Sequence, residues 1–176
     1  MMYFPYFRGR QYDLLALNDI AEQRCLPPNI IPIIEPVRDI RALPQTVAAF
    51  MAANHPLVVI ANPTVSDYAL TQQKLHDWHE WANDPNLIVG HILTPTTLPD
   101  DVTPSTDQPT LLIAHHYDEL VAVQHAGWLE TPTYLLVPPE ARVRQLVSRS
   151  SISLFDHAWL PDHDQTYANL VDGFFS

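Results

Sequence analysis

The strongest constraint on the fold of this chain is a set of short, uninterrupted apolar runs. They are residues 29–37 (NIIPIIEPV), 57–61 (LVVIA), 86–93 (NLIVGHIL), 110–114 (TLLIA) and 133–137 (TYLLV). A strand with one wet face alternates apolar and polar residues. These runs are apolar on consecutive positions and rich in β-branched side chains, which marks strands buried on both faces, as in a parallel sheet. Residues 4–7 predict a strand that starts the sheet, and residues 151–155 (SISLF) one that continues it.

Helical patterns separate the runs. Residues 11–24 carry Leu14, Leu15, Leu17 and Ile20 near helical spacing, and residues 43–54 follow with Pro44 in a first turn. Residues 66–83 form the longest pattern, with Ser66 or Asp67 as its cap. Residues 117–128 and 140–148 complete the set. Residues 94–109, rich in proline and threonine, read as loop. The order is one of alternating βα units with about seven strands, an α/β fold. Two architectures compete for it. One is a TIM-barrel-like layout, left incomplete because seven strands do not make a regular eight-stranded barrel. The other is an open doubly wound parallel sheet. No GxGxxG and no GxxxxGK[ST] follows any run, so nucleotide-binding versions of the latter lose support.

At 176 residues the chain suits one domain. Residues 1–160 read as a single α/β barrel-like unit, and residues 161–176 as a C-terminal tail, the start of a truncated region. Hydrophobic residues make up 47% of the chain, enough for a packed core. The formal net charge of -11 argues against extensive binding to nucleic acid, which needs a cationic face to displace counterions. A local basic pocket stays open as an expectation. Cys25 is the one cysteine, so neither a disulfide framework nor a CxxC motif exists. No apolar run approaches the length of a membrane span, and Met1 leads straight into an aromatic stretch rather than a signal pattern. A cytoplasmic location is the expectation. Seventeen prolines against four glycines are unusual, and the prolines cluster at element ends, where a missing N–H does least harm.

The stretch FPYFRGRQYDLLAL at residues 4–17 resembles the start of an uncharacterised bacterial family, sce-seven-seven-two-five, itself similar to the phage-type beta protein family. The resemblance continues at Ile31-Pro32-Ile33-Ile34-Glu35-Pro36-Val37 and Ala61-Asn62-Pro63, and recurs in Tyr167 and Phe174-Phe175-Ser176. Members of that family are longer, so the resemblance covers their N-terminal half to two-thirds. They typically show an Arg-Asn-Ala-Asp-Tyr-Pro-like segment before Phe-Phe-Ser. Here residues 164–169 read DQTYAN, without the arginine, the first asparagine and the proline. The resemblance implies no reaction. It implies a setting in bacterial defence or mobile elements.

In a barrel-like fold the residues just after each strand share one mouth. Those positions here are Arg8 and Arg10, Glu35, Asn62, Thr94, His115 and His116, then Asp156 and His157. Arg8, Arg10, Asn62 and His116 form a candidate ligand-binding set for an anionic group, with Glu35 or His115 as general base. The plainer reading is that Arg8 and Glu35 form an ion pair tying two strand ends together. Glu35-Pro36 and Asn62-Pro63 each place a polar residue before a proline that keeps it extended. Asp156, His157, Asp162 and His163 are a candidate set for Zn²⁺ or Mn²⁺, although their spacing matches no standard motif. A solvated acidic loop is the competing reading. His76 and His79 lie three apart on one helix face without the glutamate of HExxH, and read as surface residues.

Three functions follow as expectations. The first is an interaction or recognition component of a bacterial defence or phage-related system. The second is a barrel-type enzyme acting on a phosphate- or carboxylate-bearing substrate. The third is a metal-dependent hydrolase or nuclease. A protein partner or a homodimer is expected, because an unclosed sheet would leave an edge to pair.

Overall fold

The computed structural model describes residues 2–38, 41–65, 83–94, 109–125, 133–138, and Arg142, Val143 and Leu146. The expected strand 151–155, the expected helix 66–83 apart from Asn83, and most of the loop 94–109 lie outside the described residues. The chain forms β1 (Tyr6–Gly9), α1 (Gln11–Glu22), β2 (Ile33–Pro36), α2 (Ala42–Ala53), β3 (Leu57–Ile60), β4 (Leu87–Ile92), β5 (Thr110–Ile113), α3 (Tyr117–His125) and β6 (Tyr134–Leu136). Arg142, Val143 and Leu146 are also helical.

The six strands make one sheet in the order β1-β2-β3-β4-β5-β6, and every described pair is parallel. The order therefore follows the chain, without the reversal that marks a doubly wound sheet. Consecutive apolar residues have the predicted consequence, because both faces of the sheet are packed. On the outer face, Ile34, Leu57, Val59 and Leu87 pack with Leu14, Leu17, Val47 and Phe50 of α1 and α2. Further along that face, Leu112 and Leu135 meet Leu120 and Val123 of α3. The inner face belongs to the alternate residues. Ile33, Val58, Ile60, Ile88, Ile92, Leu111, Ile113 and Leu136 form one cluster with Phe4, packed by Tyr6 and Tyr134.

That inner cluster draws on every strand, and the sheet curls to make it. In a flat sheet six strands wide, the outer strands would lie roughly 24 Å apart at ordinary strand spacing. Here the ring of Phe4, just before β1, meets Tyr134 of β6 edge-on, with centroids 5.2 Å apart. Gly90 shows how tight the inner face is. A Cβ there would come within 2.6 Å of Ile60 Cδ1 and 2.8 Å of Val58 Cγ1.

The helices α1 and α2 end by a shared device. Asn54 takes the left-handed conformation (φ 53°), and the Asn54 and His55 amides donate to Met51 and Phe50 carbonyls, a Schellman turn. Arg24 does the same after α1 (φ 52°), with its own amide and that of Cys25 donating to Ala21 and Ile20. The Thr46 hydroxyl of α2 lies 2.9 Å from the Leu14 carbonyl of α1 and 2.8 Å from that of Ala42, so one O–H is shared across the helix pair.

Two boundaries matter for the site. β1 was expected to end at Phe7, and it runs to Gly9 instead. Residues 4–7 therefore begin two residues before the strand does. Pairing with β2 sets this, because Arg8 lies opposite Glu35 and Gly9 opposite Pro36. Gly9 allows the approach, since a Cβ there would already stand 3.1 Å from Ile34 Cγ2. Arg8 and Glu35 thus lie inside strands rather than after them.

Candidate functional site at the carboxyl end of the sheet

Strand periodicity decides which residues face inward. Ile33 belongs to the inner cluster, so Glu35, two residues on, shares its face. By the same step Arg8 shares the face of Tyr6. Both sit at the carboxyl end of the sheet.

Glu35 is only 1% exposed. A buried carboxylate is costly unless its oxygens are hydrogen-bonded. The Tyr6 hydroxyl donates to Oε2 at 2.7 Å, while the Thr64 amide and hydroxyl donate to Oε1 at 2.8 and 3.1 Å. Glu35 thereby ties β1, β2 and the segment after β3 at one point. The Tyr6 phenol is held well above its usual pKa, first by burial and then by the Glu35 charge and the hydrogen bond to it, against the opposing field of Arg8. Tyr6 therefore stays protonated and remains a donor. Its position under both fields places Arg8 and Glu35 in one electrostatic unit.

His115 follows β5 at the same end. Burial lowers its pKa; the Glu119 carboxylate pulls it up, His116 pushes it down and Glu35 pulls it up more weakly. The net shift is downward, so the ring is mainly neutral at neutral pH, an imidazole within the field of Glu35. Glu119 is buried and accepts from the backbone amides of His115 (2.8 Å) and His116 (3.1 Å). This is the return half of a capping box, with Glu119 in the first turn of α3. His116 itself is exposed.

The remaining expected residues divide. Arg10 is exposed and stands at the N-cap of α1, where no side chain caps the helix. The Asn62 carboxamide is committed to the sheet. Its Nδ2 donates to the Ile92 carbonyl at 2.7 Å and its Oδ1 accepts from the Ile92 amide at 2.8 Å, extending the β3–β4 ladder by one side chain. Thr94 follows β4. Asp156, His157, Asp162 and His163 lie outside the described residues, as do His76 and His79. Among the described residues no group of three or more histidine, cysteine, aspartate or glutamate side chains could hold a metal ion. No described helix is long and apolar enough to cross a membrane.

Sequence reasoning named Arg8, Glu35 and His115, and the structure brings these to one end of the sheet. It missed Tyr6, Thr64 and Glu119. Tyr6 was legible as the residue two before Arg8 on a strand. Glu119 was legible as the acid three after the His116 N-cap. Thr64 carried no signal, because it reaches Glu35 from a segment without regular structure. The chain matches no protein-family model, no curated protein and no solved structure.

Proposed function

We propose that this chain is a recognition component that binds an anionic group at the carboxyl end of its sheet, through Arg8, in a binding role rather than a catalytic one. The observation that carries this reading is the hydrogen bonding of Glu35. Three donors occupy its two oxygens, and it is buried. A general base needs an accessible lone pair, and three of the roughly four on this buried carboxylate are already taken. Glu35 instead serves to hold Tyr6, Thr64 and the neighbouring Arg8 in place. Arg10 and the first-turn amides of α1 add positive potential nearby, partly offset by Asp13 in the same turn.

The layout that supports this site is TIM-barrel-like. Strand order that follows the chain, helices packed on the outer face and an inner cluster shared by the strands all favour it over a doubly wound sheet. The bacterial defence or phage-related setting rests on the resemblance of residues 4–17 and 31–37 alone. A protein partner or second copy remains part of this proposal, and sedimentation equilibrium tests for the second copy.

A second reading has one observation in its favour. His115 is kept neutral by burial at the same end of the sheet, as a general base must be. In that case the chain is an enzyme on a phosphate- or carboxylate-bearing substrate, with His115 and not Glu35 as base. The metal-dependent reading has no described residue to support it.

A thermal melt with inorganic phosphate and with acetate tests the binding site. A ligand that binds the native state raises the midpoint by mass action. The expected result is a rise with at least one anion that disappears in Arg8→Gln. No rise with either anion sinks the proposal.

A further inference from the structure

We propose that the outer face of α1 and α2 is a docking surface for a second copy of this chain, and that the two copies pair there end for end about a two-fold axis. This names the surface for the second copy and is independent of the anion site.

The face has a ridge and a trough. Three large hydrophobic side chains are exposed among the described residues, and two of them, Tyr12 (84%) and Leu15 (45%), stand on α1. Helical spacing sets Leu15 between Tyr12 on one side and Asn18 and Glu22 on the other, so the ridge borders α2. Across from it α2 carries small residues. Ala48 and Ala52 are exposed, and Ala49 and Ala53 half-buried. With Ala21 of α1 they line an open trough of about 600 Å³. Alanine methyls there let another helix approach closely. Exposed apolar side chains gathered beside such a trough mark an interaction surface.

Charge names the occupant. The chain has a net charge of -11, yet this face sets Arg10, Arg24 and Arg41 against Asp13, Asp19 and Glu22. Two acidic copies can meet on a face that is itself neutral without the repulsion of the rest of their surface. The charges are also sorted by end. The Thr46 hydroxyl bonds to the Leu14 carbonyl, and Arg24 after α1 to the Ala52 carbonyl, so the two helices run side by side in the same direction. Arg10 and Arg41 stand at the starts of the helices, and Asp19 and Glu22 near the end of α1. Arg24 shares that end, with its guanidinium turned to the last turn of α2. The helix dipoles carry the same polarity as the side chains.

A two-fold axis along the helices would bring like ends together. An axis across them turns one copy end for end, so that Arg41 of each copy meets Glu22 of the other. With the inclined crossing usual between packed helices, Tyr12 and Leu15 of each copy then lie in the alanine trough of the other.

Sedimentation equilibrium of the full chain at high micromolar concentration tests this. The wild-type protein is expected to form dimers. Tyr12→Gln/Leu15→Gln keeps good helix formers at two exposed positions, and is expected to weaken association about tenfold or more. Arg41→Glu and Glu22→Arg are each expected to weaken it about tenfold, because like charges then meet twice in every dimer. Mixed in equal amounts, these two variants should regain wild-type association, since every such contact in the mixed dimer again joins opposite charges. A wild-type chain that stays monomeric overturns the proposal and leaves the anion melt untouched. A dimer indifferent to Tyr12→Gln/Leu15→Gln overturns it as well, by placing the contact elsewhere. Charge variants that weaken association and do not recover on mixing overturn the end-for-end arrangement.

Discussion

Glu35 and His91 are two ionisable residues near the carboxyl ends of their strands, about one residue apart in sheet height by the pairing of β2, β3 and β4. Glu35 faces inward. His91 faces outward, on the side of Leu87 and Val89. Three hydrogen bonds from two segments meet Glu35. At His91 burial is the sole cause of a pKa lowered to about 4. The sheet therefore treats two titratable groups in opposite ways. It surrounds one with donors, and it half-buries the other. The first arrangement fixes three segments at one point. The second only penalises a proton.

The largest expected effect comes from breaking the inner arrangement. Glu35→Ala removes the acceptor of the Tyr6 hydroxyl and of both Thr64 donors. Removing one member of such a buried set should cost about 3–5 kcal/mol in urea unfolding. A loss below about 1 kcal/mol would mean that water replaces Glu35 freely, and the contrast with His91 would fail.

The outer arrangement predicts a pH dependence instead. The unfolded chain protonates His91 near its ordinary value of 6.5, and the folded chain only near 4. Between those values the unfolded state binds more protons, so stability falls as pH falls from 6.5 toward 4 and levels off below. The loss from His91 amounts to at most about 3 kcal/mol. His115 shifts in the same direction and adds to it. Unfolding curves for His91→Leu should therefore show a shallower slope across this window, not a flat one. An unchanged slope would show that His91 is solvated when folded.

How much of this was legible depends on what kind of interaction sets each feature. The parallel sheet was readable because burial on both faces removes alternation, and LVVI and TLLI carry that pattern without any tertiary information. Arg8, Glu35 and His115 were readable because a parallel topology gathers strand ends. Their surroundings were not. Whether Glu35 is a free base or an acceptor engaged at both oxygens depends on Thr64, 29 residues away along the chain. The role of Asn62 depends on the backbone of Ile92, 30 residues away. The burial of His91 gave no sign either, since a histidine in an apolar run looks the same whether its ring is wet or dry.

Gly90 tests the crowding of the inner face next to His91. Its neighbours Val58 and Ile60 occupy the space a side chain would need. Gly90→Ala is expected to cost about 1–3 kcal/mol, because Ile60 can rotate its terminal methyl but Val58 has no such freedom. A neutral or stabilising result would show that the inner face has room, and would weaken the case for a tightly curled sheet.

Thr64→Val is the smallest change and the sharpest probe of the inner site. It keeps the branched shape and the backbone amide, and removes only the hydroxyl that donates to Glu35 at 3.1 Å. Thr64 is exposed, so water can take over part of that bond, and the expected cost is about 0.5–1 kcal/mol. Stability alone would not separate a site residue from an ordinary loop contact, and anion affinity does. With one donor fewer, Oε1 of Glu35 has a free lone pair and a less fixed position, so its field on the site is less constant. The rise in melting midpoint with phosphate or acetate should then shrink in Thr64→Val, in the same direction as in Arg8→Gln but by less. A variant that loses stability and keeps the full anion-induced rise would show that the amide alone fixes Glu35, and that the hydroxyl is a stabilising contact and nothing more.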